Sequence, residues 1–212
     1  MKKKILVACL CVALAVLTVA GTTLAYLTSQ DKVTNTFTVG KVAIKLDEAK
    51  ANTDGTLVAG AARVQENSYK LMPGHTYNKD PMVTVLAGSE PSYIKMTVTF
   101  SKANALDAIF APTGADMTSI FNGSDAANWI YKGNTKDATA DTRTYEFWYK
   151  ETVGAPTADV ALDALFDSIT VPDTITGTQL ETIKGMTITV NAYAIQADGF
   201  ADANAAWAKF SK

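Results

Sequence analysis

His75 is the one histidine in the chain, and imidazole is the side chain that most readily trades protons near neutral pH. It follows Pro73-Gly74, a pair that makes turns, so it reads as a surface turn residue. A zinc site built from protein needs several His, Cys or carboxylate ligands, and no His-Glu-x-x-His helix accompanies this residue. A Ser-His-Asp relay would have to recruit the same imidazole. No serine stands in a Gly-x-Ser-x-Gly elbow, and Asn122-Gly123-Ser124 belongs to a polar loop. No catalytic, metal-ligating or cofactor-binding residue is assigned, and the chain reads as a non-enzyme.

The other reactive types lead to weaker chemistry. Asp47-Glu48 closes an expected strand, and Asp137 and Asp141 lie in a Thr/Ala/Lys loop, so these carboxylates are expected to be solvated. EF-hand spacing and glycine-rich phosphate loops are both absent from the sequence. Trp129 and Trp148 could stack on sugar rings, which makes a surface binding or adhesion module for carbohydrate or host protein the alternative function. Intramolecular lysine-to-asparagine crosslinks need both residue types on neighbouring strands, and Lys45 and Asn191 each fall on an expected strand.

Cys9 and Cys11 are the only cysteines, and both lie in the first 25 residues. That segment has the parts of an export signal: Lys2, Lys3 and Lys4, an uncharged run from Ile5 to Ala20, and the small-any-small triplet Thr23-Leu24-Ala25. Cleavage is expected between Ala25 and Tyr26. The run is shorter than the ~20 residues of a membrane span, so an uncleaved anchor would have to recruit Leu24 to Leu27. After cleavage no thiol remains for a disulfide or a metal. The cut removes three of the 19 basic residues and none of the 21 acidic ones. What remains is mildly acidic, with Arg63 and Arg143 its only arginines, and offers no basic stripe to neutralise phosphates. Nucleic acid is excluded as a partner, and the membrane is met only through the signal peptide before cleavage. The expected localisation is secreted, extracellular or associated with the cell surface.

The remaining chain, residues 26–212, reads as a single all-β domain. In Tyr93 to Phe100, Ile94, Met96, Val98 and Phe100 alternate with Tyr93, Lys95, Thr97 and Thr99, which predicts a half-buried strand with one apolar face. Met186 to Ile195 alternates in the same way, and Met82 to Leu86 and Arg143 to Lys150 are further strands, the last with Tyr145, Phe147 and Tyr149 toward the core. Short helical insertions are expected at Ala103 to Phe110, Ser124 to Ile130, Val160 to Phe166 and Thr178 to Ile183. A C-terminal helix is expected to be capped by Asp202, with Ala203, Ala206, Trp207 and Phe210 on one face.

The segment after the cleavage site changes parity. Val33, Phe37 and Val39 are odd-numbered, whereas Val42, Ile44 and Leu46 are even. A strand repeats every two residues, so the shift at Gly40-Lys41 requires a bulge in one edge strand or a break between two. Gly40 is the residue that would permit either. A break leaves residues 26–39 as an arm free to pair outside its own domain. Seating Val33, Phe37 and Val39 in a neighbour's groove is worth about 1.5–3 kcal/mol each before ordering costs, with ~1 kcal/mol more per backbone bond. An ordinary first strand paired in its own sheet is equally compatible with the pattern.

Gly21-Thr22-Thr23-Leu24-Ala25-Tyr26-Leu27-Thr28, followed by Asn35-Thr36-Phe37-Thr38-Val39-Gly40-Lys41-Val42, resembles the TasA/camelysin family. The likeness continues through Leu71-Met72-Pro73-Gly74, Lys79-Asp80-Pro81-Met82-Val83-Thr84-Val85 and the strand Tyr93 to Phe100. The resemblance implies a jelly-roll-like antiparallel β-sandwich secreted by a Gram-positive bacterium, with an export signal cut by a dedicated signal peptidase, SipW. It also implies assembly into biofilm-matrix fibres by donation of an N-terminal strand to the next subunit, the partner being a second copy or a related matrix protein. Camelysin members carry a metalloprotease label, but with one histidine and no zinc motif in this sequence no catalytic residue carries over.

Overall fold

Period-two alternation decides the centre of the molecule. The computed structural model describes residues 40–110 and 120–210, and its longest strand is β4 (Ser92–Ser101), in which Ile94, Met96, Val98 and Phe100 are all fully buried. β4 is flanked by β7 (Thr142–Tyr149) and β10 (Ile188–Gln196), and β6 (Trp129–Asp137) completes a four-stranded antiparallel sheet in the order β10-β4-β7-β6. Tyr145 and Phe147 of β7 point into the core, as their alternation predicts. The register of β6 on β7 slips between Tyr131 and Gly133, where Gly133 takes a φ of 119°, a bulge that only glycine accommodates without strain.

Two three-stranded antiparallel sheets complete the sandwich. One has the order β1 (Ile44–Asp47), β3 (Met82–Val85), β8 (Val160–Ala161). The other is β2 (Thr76–Asn78), β9 (Ser168–Thr170), β5 (Phe121–Asn122). Val83 and Val85 of β3, Phe121 of β5 and Phe166 close over β4 and β7 in one hydrophobic core. Phe121 is its hub, with ring centroids 4.5 Å from Phe166, 5.5 Å from Tyr145 and 5.8 Å from Phe100. The fold is an all-β antiparallel sandwich with small helical insertions.

Three helices are present among the described residues: α1 (Ala103–Phe110), α2 (Gly177–Ile183) and α3 (Ala203–Lys209). Thr176 and Gln179 form a reciprocal capping box on α2, and Asp202 caps α3 by accepting from the Ala205 amide at 2.8 Å. The helices expected at Ser124 to Ile130 and Val160 to Phe166 do not form. In the first segment β6 begins at Trp129, which pairs with Tyr149. In the second, Val160 and Ala161 pair with β3, and the Leu162 and Leu165 amides donate to Val83 and Pro81. Backbone groups that bond another strand cannot also bond along a helix.

β4 also departs from expectation. It is covered on both faces, because α3 lies over Lys95 and leaves it 8% exposed. At the start of β1, residues 40–43 form no strand. The Glu90 amide donates to the Lys41 carbonyl at 2.8 Å, and the Ala43 carbonyl accepts from Leu86. Gly40 does not take a positive φ, and a Cβ there would lie 2.8 Å from the Glu90 side chain. Among the described residues, β1 therefore begins at Ile44. Val33, Phe37 and Val39, like Thr23, Ala25 and Tyr26 at the expected cleavage site, lie outside the described residues.

Candidate functional site

Among the described residues, β10 is one edge of the four-stranded sheet. Its nine residues bond β4 along one edge, from Ile188 opposite Phe100 to Gln196 opposite Ser92. Among the described residues no strand bonds its other edge. β1, which bonds only β3, stands alongside without pairing. The apolar side chains of β10, Ile188, Val190, Ala192 and Ala194, touch the core yet stay only half-buried, because nothing described closes the gap between the two sheets. An edge with no described strand on it, beside half-covered apolar side chains, is a template for another strand.

Two connected hollows run beside this edge. One, of about 300 Å³, lies between Leu46, Val64 and Pro81 on one side and Ile188 and Val190 on the other. The second, of about 820 Å³, extends past Tyr69, Leu71, Leu180 and Met186. Lys79, Ile188 and Thr189 line both. The two hollows share this lining, mix apolar and polar side chains, and meet β10 at Ile188, Thr189 and Val190. An extended peptide can satisfy the edge with its own backbone and seat every second side chain in this groove.

The groove wall is electrostatically built, which corrects the expectation that Asp47 and Glu48 are solvated. They are 5% and 6% exposed. Arg63 Nε donates to Asp47 Oδ1 at 2.5 Å while its Nη1 donates to Asp80 Oδ2 at 2.8 Å, and Lys45 Nζ reaches Asp47 at 2.7 Å. Burial works against the Asp47 carboxylate, but the hydrogen bonds from Lys45 and Arg63 outweigh it and hold the group below its ordinary range. Glu48 accepts from Lys79 Nζ at 2.6 Å and from Asn67 Nδ2 at 3.0 Å. Tyr69, whose hydroxyl donates to the Asn78 carbonyl at 2.7 Å, has its phenol pushed well above its ordinary value, first by burial and then by the Glu48 charge. Sequence spacing could not announce this cluster, because its partners come from separate segments.

The remaining sequence candidates do not converge. His75 sits half-buried after the Pro-Gly turn, where Gly74 has a φ of 71°, and its ring lies 6.3 Å from that of Tyr77. Ser124 is exposed, with its hydroxyl directed to the Phe121 carbonyl. Asp137 is exposed in a turn, accepting from the Thr139 and Ala140 amides, whereas Asp141 accepts from Asn104 at the start of α1. No group of three or more metal-ligating side chains gathers among the described residues. Trp129 is core, 3% exposed, with its indole N–H on the Asp163 carbonyl. Trp148 is covered by Lys132 at 4.2 Å and tied to Glu146. Trp129 is therefore core rather than an exposed sugar platform, while Trp148 is half-buried. Lys45 and Asn191 lie on different sheets, with Lys45 engaged by Asp47 and Asn191 opposite Thr97, so that pair is not brought together. No helix among the described residues is long and apolar enough to cross a membrane. No protein-family model matches the chain, and neither does any curated protein or solved structure.

Proposed function

We propose that this chain is a secreted structural protein of the cell surface or biofilm matrix, assembling by insertion of residues 26–39 of one copy into the groove along β10 of the next. The observation that carries the proposal is the edge of β10 that bonds no described strand, with its half-buried row Ile188, Val190, Ala192 and Ala194. The occupant is chosen on length and pattern. Tyr26 to Val39 is longer than β10 and carries Val33, Phe37 and Val39 on one strand face, the alternation the groove requires. Pairing along the whole edge spans roughly 30 Å at ~3.3 Å per residue. Each added backbone bond contributes about 1 kcal/mol and each buried apolar side chain about 1.5–3 kcal/mol, set against the cost of ordering the arm. The sandwich is the architecture expected from the TasA/camelysin resemblance, in which signal-peptidase cleavage would release the donor end at Tyr26.

The test is electron microscopy and light scattering on two purified forms. The chain starting at Tyr26 should assemble into fibres, and the chain starting at Gly40 should remain folded and monomeric. Fibres from the shorter form would overturn the proposal.

A further inference from the structure

Lys79, Glu48 and Asn67 form an arrangement that an ion pair alone does not need. The two oxygens of the Glu48 carboxylate are divided between an amine and a carboxamide: Oε2 takes Lys79 Nζ at 2.6 Å and Oε1 takes Asn67 Nδ2 at 3.0 Å. Both nitrogens are hydrogen-bonded to one carboxylate, which holds amine and carboxamide at the same group. The Asn67 carbonyl oxygen accepts the Ala51 amide N–H at 2.9 Å, and Nδ2 also donates to the Ala49 carbonyl at 2.9 Å, so the carboxamide plane is fixed from both ends. Glu48 is 6% and Lys79 8% exposed, while Asn67 is half-buried where it and Lys79 line the larger hollow.

We propose that Lys79 and Asn67 join in an intramolecular isopeptide bond, with Glu48 as the proton carrier. Lys79 Nζ passes a proton to Glu48 and attacks Asn67 Cγ, forming the Nζ–Cγ bond. Charge that develops on Oδ1 meets the Ala51 N–H, a donor already in place where the oxyanion forms. The Cγ–Nδ2 bond then breaks. Nζ gives up two protons in all and Nδ2 gains two, carried through Glu48, which ends as the carboxylate it was. The departing nitrogen leaves as ammonium, so charge and atoms balance with no oxidant, metal or co-reactant. Glu48 acts by positioned acid–base transfer between a donor and an acceptor it already touches, and the fixed geometry supplies the proximity that makes an otherwise slow amide exchange feasible.

The bond would tie the segment around Asn67, which has no helix or strand of its own, to the residue that lines both hollows of the groove. This inference does not depend on the fibre reading, since it concerns a single folded chain.

Intact-mass spectrometry of the purified secreted chain, followed by sequencing of its proteolytic fragments, tests it directly. The expected result is a mass lower than the sequence requires by one ammonia, and a branched peptide joining Asn67 to Lys79. The full sequence mass with separate linear peptides in the folded wild-type protein would overturn it. Glu48→Gln should remove the crosslink and restore the lost ammonia while the circular dichroism stays that of a folded β protein. Asn67→Asp should give the same branched peptide, now with loss of water. A crosslink that persists unchanged in folded Glu48→Gln would overturn the role given to Glu48.

Discussion

Lys95 Nζ lies 4.5 Å from the centre of the Trp207 ring, a contact that fastens the C-terminal helix α3 across the outer face of β4. Phe210 and Tyr193 approach the same ammonium at 5.3 and 5.6 Å, so the charge is buried against ring faces as well as beside Glu146 at 3.7 Å. Cation–π contacts of this kind are worth more where water is excluded, and Trp207 buries a large apolar surface as well. Trp207→Ala should lower the unfolding free energy by about 3 kcal/mol in urea titration. It should also raise hydrogen exchange at the Lys95 and Thr97 amides, with no change at β9 in the other layer.

Acid should weaken the fold through Asp47 and Asp107. Each carboxylate is opposed by burial but held down by hydrogen bonds, from Lys45 and Arg63 to Asp47 and from Arg143 and Lys136 to Asp107. A carboxylate with a depressed folded-state pKa contributes stability that is present above its unfolded value, about 4, and is lost as pH falls through the lower folded value. Stability measured by thermal melts should therefore be flat above pH ~5 and decline below pH ~4. Asp47→Asn should cost about 2 kcal/mol at neutral pH, leaving Asp80 as the only carboxylate on Arg63, and should flatten the acid limb. An acid limb unchanged in that variant would assign the loss to other groups.

Phe121 joins the two layers, and its removal should be felt more than its position on a two-residue strand suggests. Its ring meets Phe166 at 4.5 Å, Tyr145 edge-on at 5.5 Å and Phe147 at 6.2 Å. Phe121→Ala should cost about 4 kcal/mol in equilibrium unfolding. Ile130→Ser, at a side chain 46% exposed on β6, should cost under ~1 kcal/mol in the same assay.

The legible parts of the sequence were those whose physics is local. Ile94, Met96, Val98 and Phe100 alternate without interruption, and Asp202 stands one residue ahead of an apolar helical face, so β4 and α3 are readable from spacing alone. Leu162, Leu165 and Phe166 also follow helical spacing and are all buried, but the Leu162 and Leu165 amides bond Val83 in β3 and Pro81 just before it, a competition that periodicity cannot reveal. Asp47 and Glu48 read as solvated because Arg63 and Lys79, the cations that make their burial affordable, lie 16 and 31 residues away. The groove was hidden for a different reason. It lies beside an edge of β10 that takes no described strand, and the residues of a strand do not state which neighbour it takes.

Strand addition to β10 is tested most directly by amide NMR on the chain beginning at Gly40, titrated with a synthetic peptide of Tyr26–Val39. The expected result is saturable binding with shifts concentrated from Ile188 to Gln196 and along Ile44–Asp47, and new exchange protection of the outer β10 amides. Phe37→Asp in the peptide should abolish the effect. Absence of binding, or shifts confined to β6 or α3 with β10 unaffected, would contradict it.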